Sequence, residues 1–170
     1  MSVTAVTRAS GVPIHTPQEP PAQVRTWALN LDSGEVVDDR LLIDHGYERP
    51  RLNLGHVGRP SRSCYLLDEH GDGYTGNGVL KYDLIDEKEL GYVDYGDMYG
   101  GEALFVPRPN ATDEDDGYLV DLLMDATRAE FVVIQAKTMK ELARLHLPRR
   151  VPFDVHAAWL APEEISSLAA

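Results

Sequence analysis

The chain has 170 residues, 43% of them hydrophobic, which is the length of one ordinary domain with enough apolar content for a core. Its 16 Lys+Arg against 28 Asp+Glu give a net charge of −12, a field that repels phosphate backbones and anionic lipid surfaces, so neither nucleic acid nor an anionic membrane is an expected partner. No apolar run approaches the ~20 residues of a membrane span, and a single cysteine, Cys64, cannot form an internal disulfide, which together point to a soluble cytoplasmic protein.

In chain order, residues 1–23 are rich in Pro, Thr and Ser, lack an apolar signal-peptide core, and are expected to form a loose arm ending near Val24. Residues 24–162 change character, with short alternating or β-branched apolar runs punctuated by Asp and Gly and little helical periodicity. "VRTWALNLDSGEVVDDRLLI" predicts two strands joined at Asp32-Ser33-Gly34. "GVLKYDLIDEKELGYVDYG" predicts a second hairpin bending at Ile85 to Lys88, with Gly91 opening the next strand. "GYLVDLLMDATRAEFVVIQAKTM" predicts a third, with strands near Tyr118–Met124 and Glu130–Ala136 around a turn at Asp125 to Ala129. Measured from Trp27 to Tyr82 to Leu123, the device recurs every roughly 40 to 55 residues, near the span of one four-stranded propeller blade. Residues 163–170 are left as a short tail. Three to four such units are fewer than a closed ring commonly needs, so the chain reads as part of one.

Three further stretches carry a resemblance. "GEALFVPRPN" (Gly101 to Asn110), "EDDGYLV" (Glu114 to Val120) and "HLPRRVPFDVHAAW" (His146 to Trp159) resemble, in that order, the C-terminal portion of the carotenoid cleavage oxygenases, the family that includes lignostilbene dioxygenases. Upstream, "ERPRLN" (Glu48 to Asn53) and "GRPSRSCY" (Gly58 to Tyr65) are similar to two more of that family's motifs, so the resemblance covers about residues 25 to 160. It implies an all-β fold, the C-terminal blades of a seven-bladed β-propeller, whose axis holds a non-haem Fe(II) on four histidines backed by three glutamates. It also implies O2-dependent cleavage of a conjugated C=C bond in an apolar substrate, a carotenoid, apocarotenoid or stilbene, to two carbonyl products. By motif position, His156 matches an iron ligand, and Glu102 and Glu48 match two glutamates that orient ligands. The chemistry agrees: imidazole suits iron, and a carboxylate behind it fixes the tautomer and raises its basicity. Pro152 is expected to aim a strand that carries His156.

The chain departs from the family pattern at Asp154, Val155 and Ala157, where Gly, Phe and Gly are usual, and at Arg49, where an apolar residue is usual. His146, ahead of the turn at Pro148, reads as a packing or entry-strand residue; His15, His45, His56 and His70 match no ligand motif. Because one imidazole does not make a metal site, the other ligands are expected from a missing N-terminal propeller portion, and this chain alone is expected to show no turnover. "DEHGDGYTGNGV" (Asp68 to Val79) imitates a calcium loop but ends on Val79 rather than Glu. Glu48 and Glu102 could also be read as a glycosidase pair, and the whole chain as a non-catalytic remnant or β-rich interaction module with exposed strand edges.

Overall fold

A computed structural model describes residues 2–7, 22–69, 75–153, 156–160 and 165. Among them the architecture is all-β, with eleven strands and one short 3-10 turn at Leu54–His56. Strands β1 (Ser2–Thr7), β2 (Gln23–Leu29) and β3 (Val36–Ile43) form a three-stranded antiparallel sheet. Strands β4 (Tyr47–Arg51), β5 (Ser63–Glu69), β6 (Gly76–Asp83) and β7 (Lys88–Asp94) form a four-stranded meander. A second meander follows in β8 (Leu104–Pro107), β9 (Gly117–Met124), β10 (Ala129–Gln135) and β11 (Lys140–His146). No helix among the described residues is long and apolar enough to cross a membrane.

The middle sheet holds the assembly together because alternation along a strand sends successive side chains to opposite faces. In "SCYLL", Cys64 and Leu66 face the first sheet, where with Leu80, Tyr82 and Tyr47 they bury Val24. Tyr65 and Leu67 face the third, where with Val79 and Val93 they meet Phe105, Leu119, Leu123, Val132 and Ile134. The near-continuous apolar runs of β5 and β6 are thus two alternating faces, both buried. Leu66 and Leu80 are fully buried, and each contributes about 1.5–3 kcal/mol of transfer free energy. Lys81 also faces the third sheet, and its buried ammonium donates to Asp115 Oδ2 at 2.7 Å and to the Lys137 carbonyl at 3.3 Å.

The repeat is more regular than the sequence spacing suggests. Positive φ occurs at Gly34 (76°), Glu87 (52°) and Met139 (55°), each near the end of the turn that joins the last two strands of a sheet. The left-handed residue therefore recurs after 53 and then 52 residues. This corrects the third hairpin: β9 and β10 lie where expected, but the repeat equivalent of β2–β3 and β6–β7 is β10–β11. Gly91 does not open a strand; it lies within β7. The stretch expected to be a loose arm contributes β1, whose Ser2 to Thr7 pair with Ala28 to Gln23; its alternating Thr and Val residues suit a strand. Residues 8–21 of that stretch lie outside the described residues, as do most of the 163–170 tail and residues 70–74 of the calcium-like loop. Asp68 and Val79, the first and last residues of that stretch, belong to β5 and β6.

Two of the motifs meet between the second and third sheets. The Glu114 carboxylate accepts backbone N–H bonds from Arg62 (2.9 and 3.0 Å) and Ser63 (2.9 Å), while its own carbonyl accepts from Asn53 Nδ2 at 3.0 Å. "EDDG" therefore clamps the loop that carries "GRPSRS", and Asn53 fixes the start of that loop by accepting from Gly55 N at 3.0 Å. Glu114→Ala should destabilise the fold by about 1–3 kcal/mol, because two N–H groups lose their acceptor. Urea unfolding measures this, and an unchanged midpoint would show that water replaces the carboxylate at no cost.

Candidate metal-ligand cleft

The site is built around Glu102, which lies between Gly101 and the start of β8 and whose side chain is only 5% exposed. Its approach is rigid. Gly100 exchanges backbone hydrogen bonds with Gly76, and a Cβ at Gly100 would lie 2.2 Å from Tyr95 Cε2 and 2.7 Å from Asp121 Oδ2. Only glycine fits there. The buried Tyr95 hydroxyl donates to Asp121 Oδ2 at 2.9 Å, and Asp121 Oδ1 accepts from Gly101 N at 3.3 Å and Leu122 N at 2.8 Å. Burial and the Asp121 carboxylate push the Tyr95 phenol well up, so it stays a donor.

Three groups converge on the Glu102 carboxylate. Arg51 Nη2 makes an ion pair with Oε2, Ala157 N donates to Oε2 at 3.1 Å, and His156 Nδ1 lies 3.3 Å from Oε1. Arg51 Nη2 also reaches the Ala157 carbonyl at 3.4 Å, which closes a loop from β4 through Glu102 to the C-terminal segment. Burial pushes the Glu102 carboxyl up, but Arg51, the Ala157 amide and His156 outweigh it and hold the group below the usual carboxylate range. An ionised carboxylate only accepts, so His156 donates from Nδ1 and its Nε2 is left as the basic nitrogen. The His156 side chain is 74% exposed.

Glu48, Arg51, Glu102 and His156 line one open cleft of about 540 Å³, with Ala5 and Val6 of β1 on its far side. The sequence brings Glu48 and Arg51 together through a local irregularity. Residues three apart on a regular strand point to opposite faces, but the register of β4 shifts between Glu48 and Arg51, and Arg49 takes a left-handed φ of 48°. The alternation is reset, and both side chains reach the same space. Sequence reasoning singled out Glu48 from this motif and missed Arg51; only the bulge makes it a neighbour of Glu102.

The other expectations fare differently. His156 does not ride on a strand: residues 156–160 make no ladder among the described residues, and the segment is tethered through Ala157 to Glu102 instead. Ala157, Ala158 and Trp159 also close a cavity of about 140 Å³ with Leu104, Leu122 and Phe131 on the outer face of the third sheet. Residues 154 and 155 lie outside the described residues, so the departures at those two positions do too. His146 ends β11, with Nδ1 at 2.9 Å from the buried Glu130. His45 Nε2 lies 3.0 Å from Asp68, and His56 sits in the 3-10 turn; neither lines the cleft. Residues 15 and 70 lie outside the described residues. Among the described residues, no group of three or more His, Cys, Asp or Glu side chains converges so as to hold a metal ion.

With this geometry in hand, comparison with known proteins is informative. The family model described as "RPE65: Retinal pigment epithelial membrane protein" matches residues 3–161. An apocarotenoid-15,15'-oxygenase of Synechocystis is 33% identical over 144 residues, covering 78% of this chain and 29% of the relative. A carotenoid 9,10(9',10')-cleavage dioxygenase of Arabidopsis thaliana is 35% identical over 156 residues, covering 81% and 28%. The crystal structure of a cobalt-substituted Synechocystis apocarotenoid oxygenase superposes with a TM-score of 0.75 at 28% identity, over 85% of this chain and 31% of that one. The chain belongs to the carotenoid cleavage oxygenase family, and its sheets are blades of that family's propeller. It spans less than a third of the length of these relatives.

The geometry at Glu102 fixes an expected protonation state. In the neutral ring, His156 should carry its proton on Nδ1 rather than on Nε2, and Glu102→Ala should reverse this. Long-range 15N–1H correlation spectra read the tautomer directly, and an Nε2–H form in the unaltered protein would remove Glu102 as the orienting group.

Proposed function

We propose that this chain carries one part of a non-haem iron(II) dioxygenase centre, with His156 as an iron ligand and Glu102 and Glu48 as the carboxylates that orient ligands. The contact between the buried Glu102 and Nδ1 of His156 carries the reading, because it presents Nε2 as a donor in the manner of a carboxylate-backed metal histidine. The residues present fit one corner of such a site: a neutral-ring donor, an orienting carboxylate, and an open cleft in front of both. They do not make a whole site, and the remaining donors would come from outside the described residues, in a polypeptide that carries the rest of the propeller.

The family's reaction, and the names of the relatives, support an apolar conjugated substrate, a carotenoid, apocarotenoid or stilbene, cleaved with O2 to two carbonyl products. Iron(II), when bound, would supply the activation of O2. The chain's own groups would do the rest: Glu102 holds the imidazole in one tautomer, Arg51 keeps that carboxylate ionised, and Ala157 N–H fixes its distance from the backbone. The single cysteine is a buried thiol, which suits a reducing cytoplasm. A non-catalytic β-rich module is the second reading; it is favoured by apolar side chains left exposed on strand β3, Val36, Val37 and Leu41 among them.

Titration with cobalt(II), followed by 1H–15N spectra, separates the two. The dioxygenase reading expects paramagnetic broadening at His156 and its cleft neighbours, weak in this chain alone and lost in His156→Ala. Broadening centred on His45 or His146, or unaffected by that substitution, would contradict it.

A further inference from the structure

A second cavity, of about 560 Å³, lies between the first sheet and the loop that follows β4, and shares Ala5 and Pro50 with the cleft. Its volume is in the ~300–1,000 Å³ range of small-molecule sites. The walls are apolar: Val24, Leu52, Val57, Cys64 and Leu84 contribute, and burial pushes the Cys64 thiol up to about 12, so that wall stays uncharged at neutral pH.

The charged lining is unusual for this molecule. In a chain with 28 acidic and 16 basic residues, none of the fourteen lining residues among the described ones is Asp or Glu, whereas Arg40, His56 and Arg59 are all present. Arg40 is spoken for, since it pairs with Asp38 at 2.7 Å and with Glu87. Arg59 and His56 have no side-chain ion-pair partner among the described residues. Both sit on a loop that is held at each end: Asn53 accepts from Gly55 N, and Glu114 accepts from Arg62 N and Ser63 N. Gly58, between them, has a φ of +78°, which an L side chain adopts only under strain. The loop is therefore preformed, and it sets a guanidinium with no ion-pair partner among the described residues, and an imidazole, beside an apolar lining.

We propose that this cavity binds an amphipathic carboxylate, a hydrocarbon chain that fills the space against Val24, Cys64 and Leu84 while its head group pairs with Arg59 and accepts a hydrogen bond from His56. A guanidinium matches a carboxylate with two parallel hydrogen bonds, and the described lining sets no Asp or Glu against such a head group. A cationic amphiphile would leave Arg59 facing a like charge, and a neutral alcohol would forgo the ion pair.

Calorimetric titration of the whole chain with dodecanoate, dodecanol and dodecyltrimethylammonium, each below its micelle concentration, tests this. Dodecanoate should bind with one-to-one stoichiometry and about tenfold or more tighter than either analogue. Arg59→Glu should weaken dodecanoate by about tenfold or more without altering dodecanol, and Arg59→Lys should retain part of the preference. Because Arg59 is exposed, both variants should unfold at the midpoint of the parent protein. Amide shifts on binding should map to Val24, Cys64 and Leu84. Equal binding of dodecanoate and dodecanol, indifference to Arg59→Glu, or shifts centred elsewhere would each overturn the proposal.

Discussion

A single buried carboxylate organises the end of this chain. Glu102 is where the second sheet, the third sheet and the C-terminal segment meet: Arg51 arrives from β4, Glu102 itself leads into β8, and His156 and Ala157 come from beyond β11. A buried charge is costly unless it is paired and its remaining lone pairs are filled, and breaking such a pair costs more than the pair itself contributes. Glu102 meets that demand with a guanidinium, an amide and an imidazole. The same requirement that stabilises the carboxylate thus ties His156 and Ala157 to Glu102.

The support behind Glu102 is equally specific. Asp121 holds the Gly101 amide, Tyr95 holds Asp121, and Gly100 leaves room for both. Further out, the middle sheet is packed on both faces; Glu114 ties its Arg62–Ser63 loop, and Lys81 of β6 ties the sheet itself, to loops of the third sheet. The first sheet is joined to this body through Val24 and its neighbours, and among the described residues it has three strands where the others have four. Its β1 borders the cleft in front of His156 through Ala5 and Val6.

Much of this was legible in the sequence, for identifiable reasons. Alternation and turn residues gave the all-β class and most strands, and the motifs placed Glu48, Glu102 and His156, which do line one cleft. The regular repeat was hidden because two of its three left-handed turn residues are Glu87 and Met139 rather than glycine. Strand β11 was missed because "KELARLH" is a charged edge whose Leu142 and Leu145 stay half exposed, so it lacks a clean apolar face. Arg51 was missed because a bulge, invisible to any count of alternation, turns it toward Glu102. His156 was expected on a strand because Pro152 resembled the start of one; a side-chain tether, which no local pattern encodes, holds it instead.

If the Glu102 carboxylate anchors the histidine segment, hydrogen exchange at one amide will report it. Ala157 N–H lies in a segment without ladder partners among the described residues, so its protection should depend on Glu102 alone. Ala157 should show measurable protection in the unaltered protein, lost by about tenfold or more in Glu102→Ala while β9 and β10 exchange as before. An Ala157 amide that exchanges freely in the parent chain, or is untouched by the substitution, would contradict it.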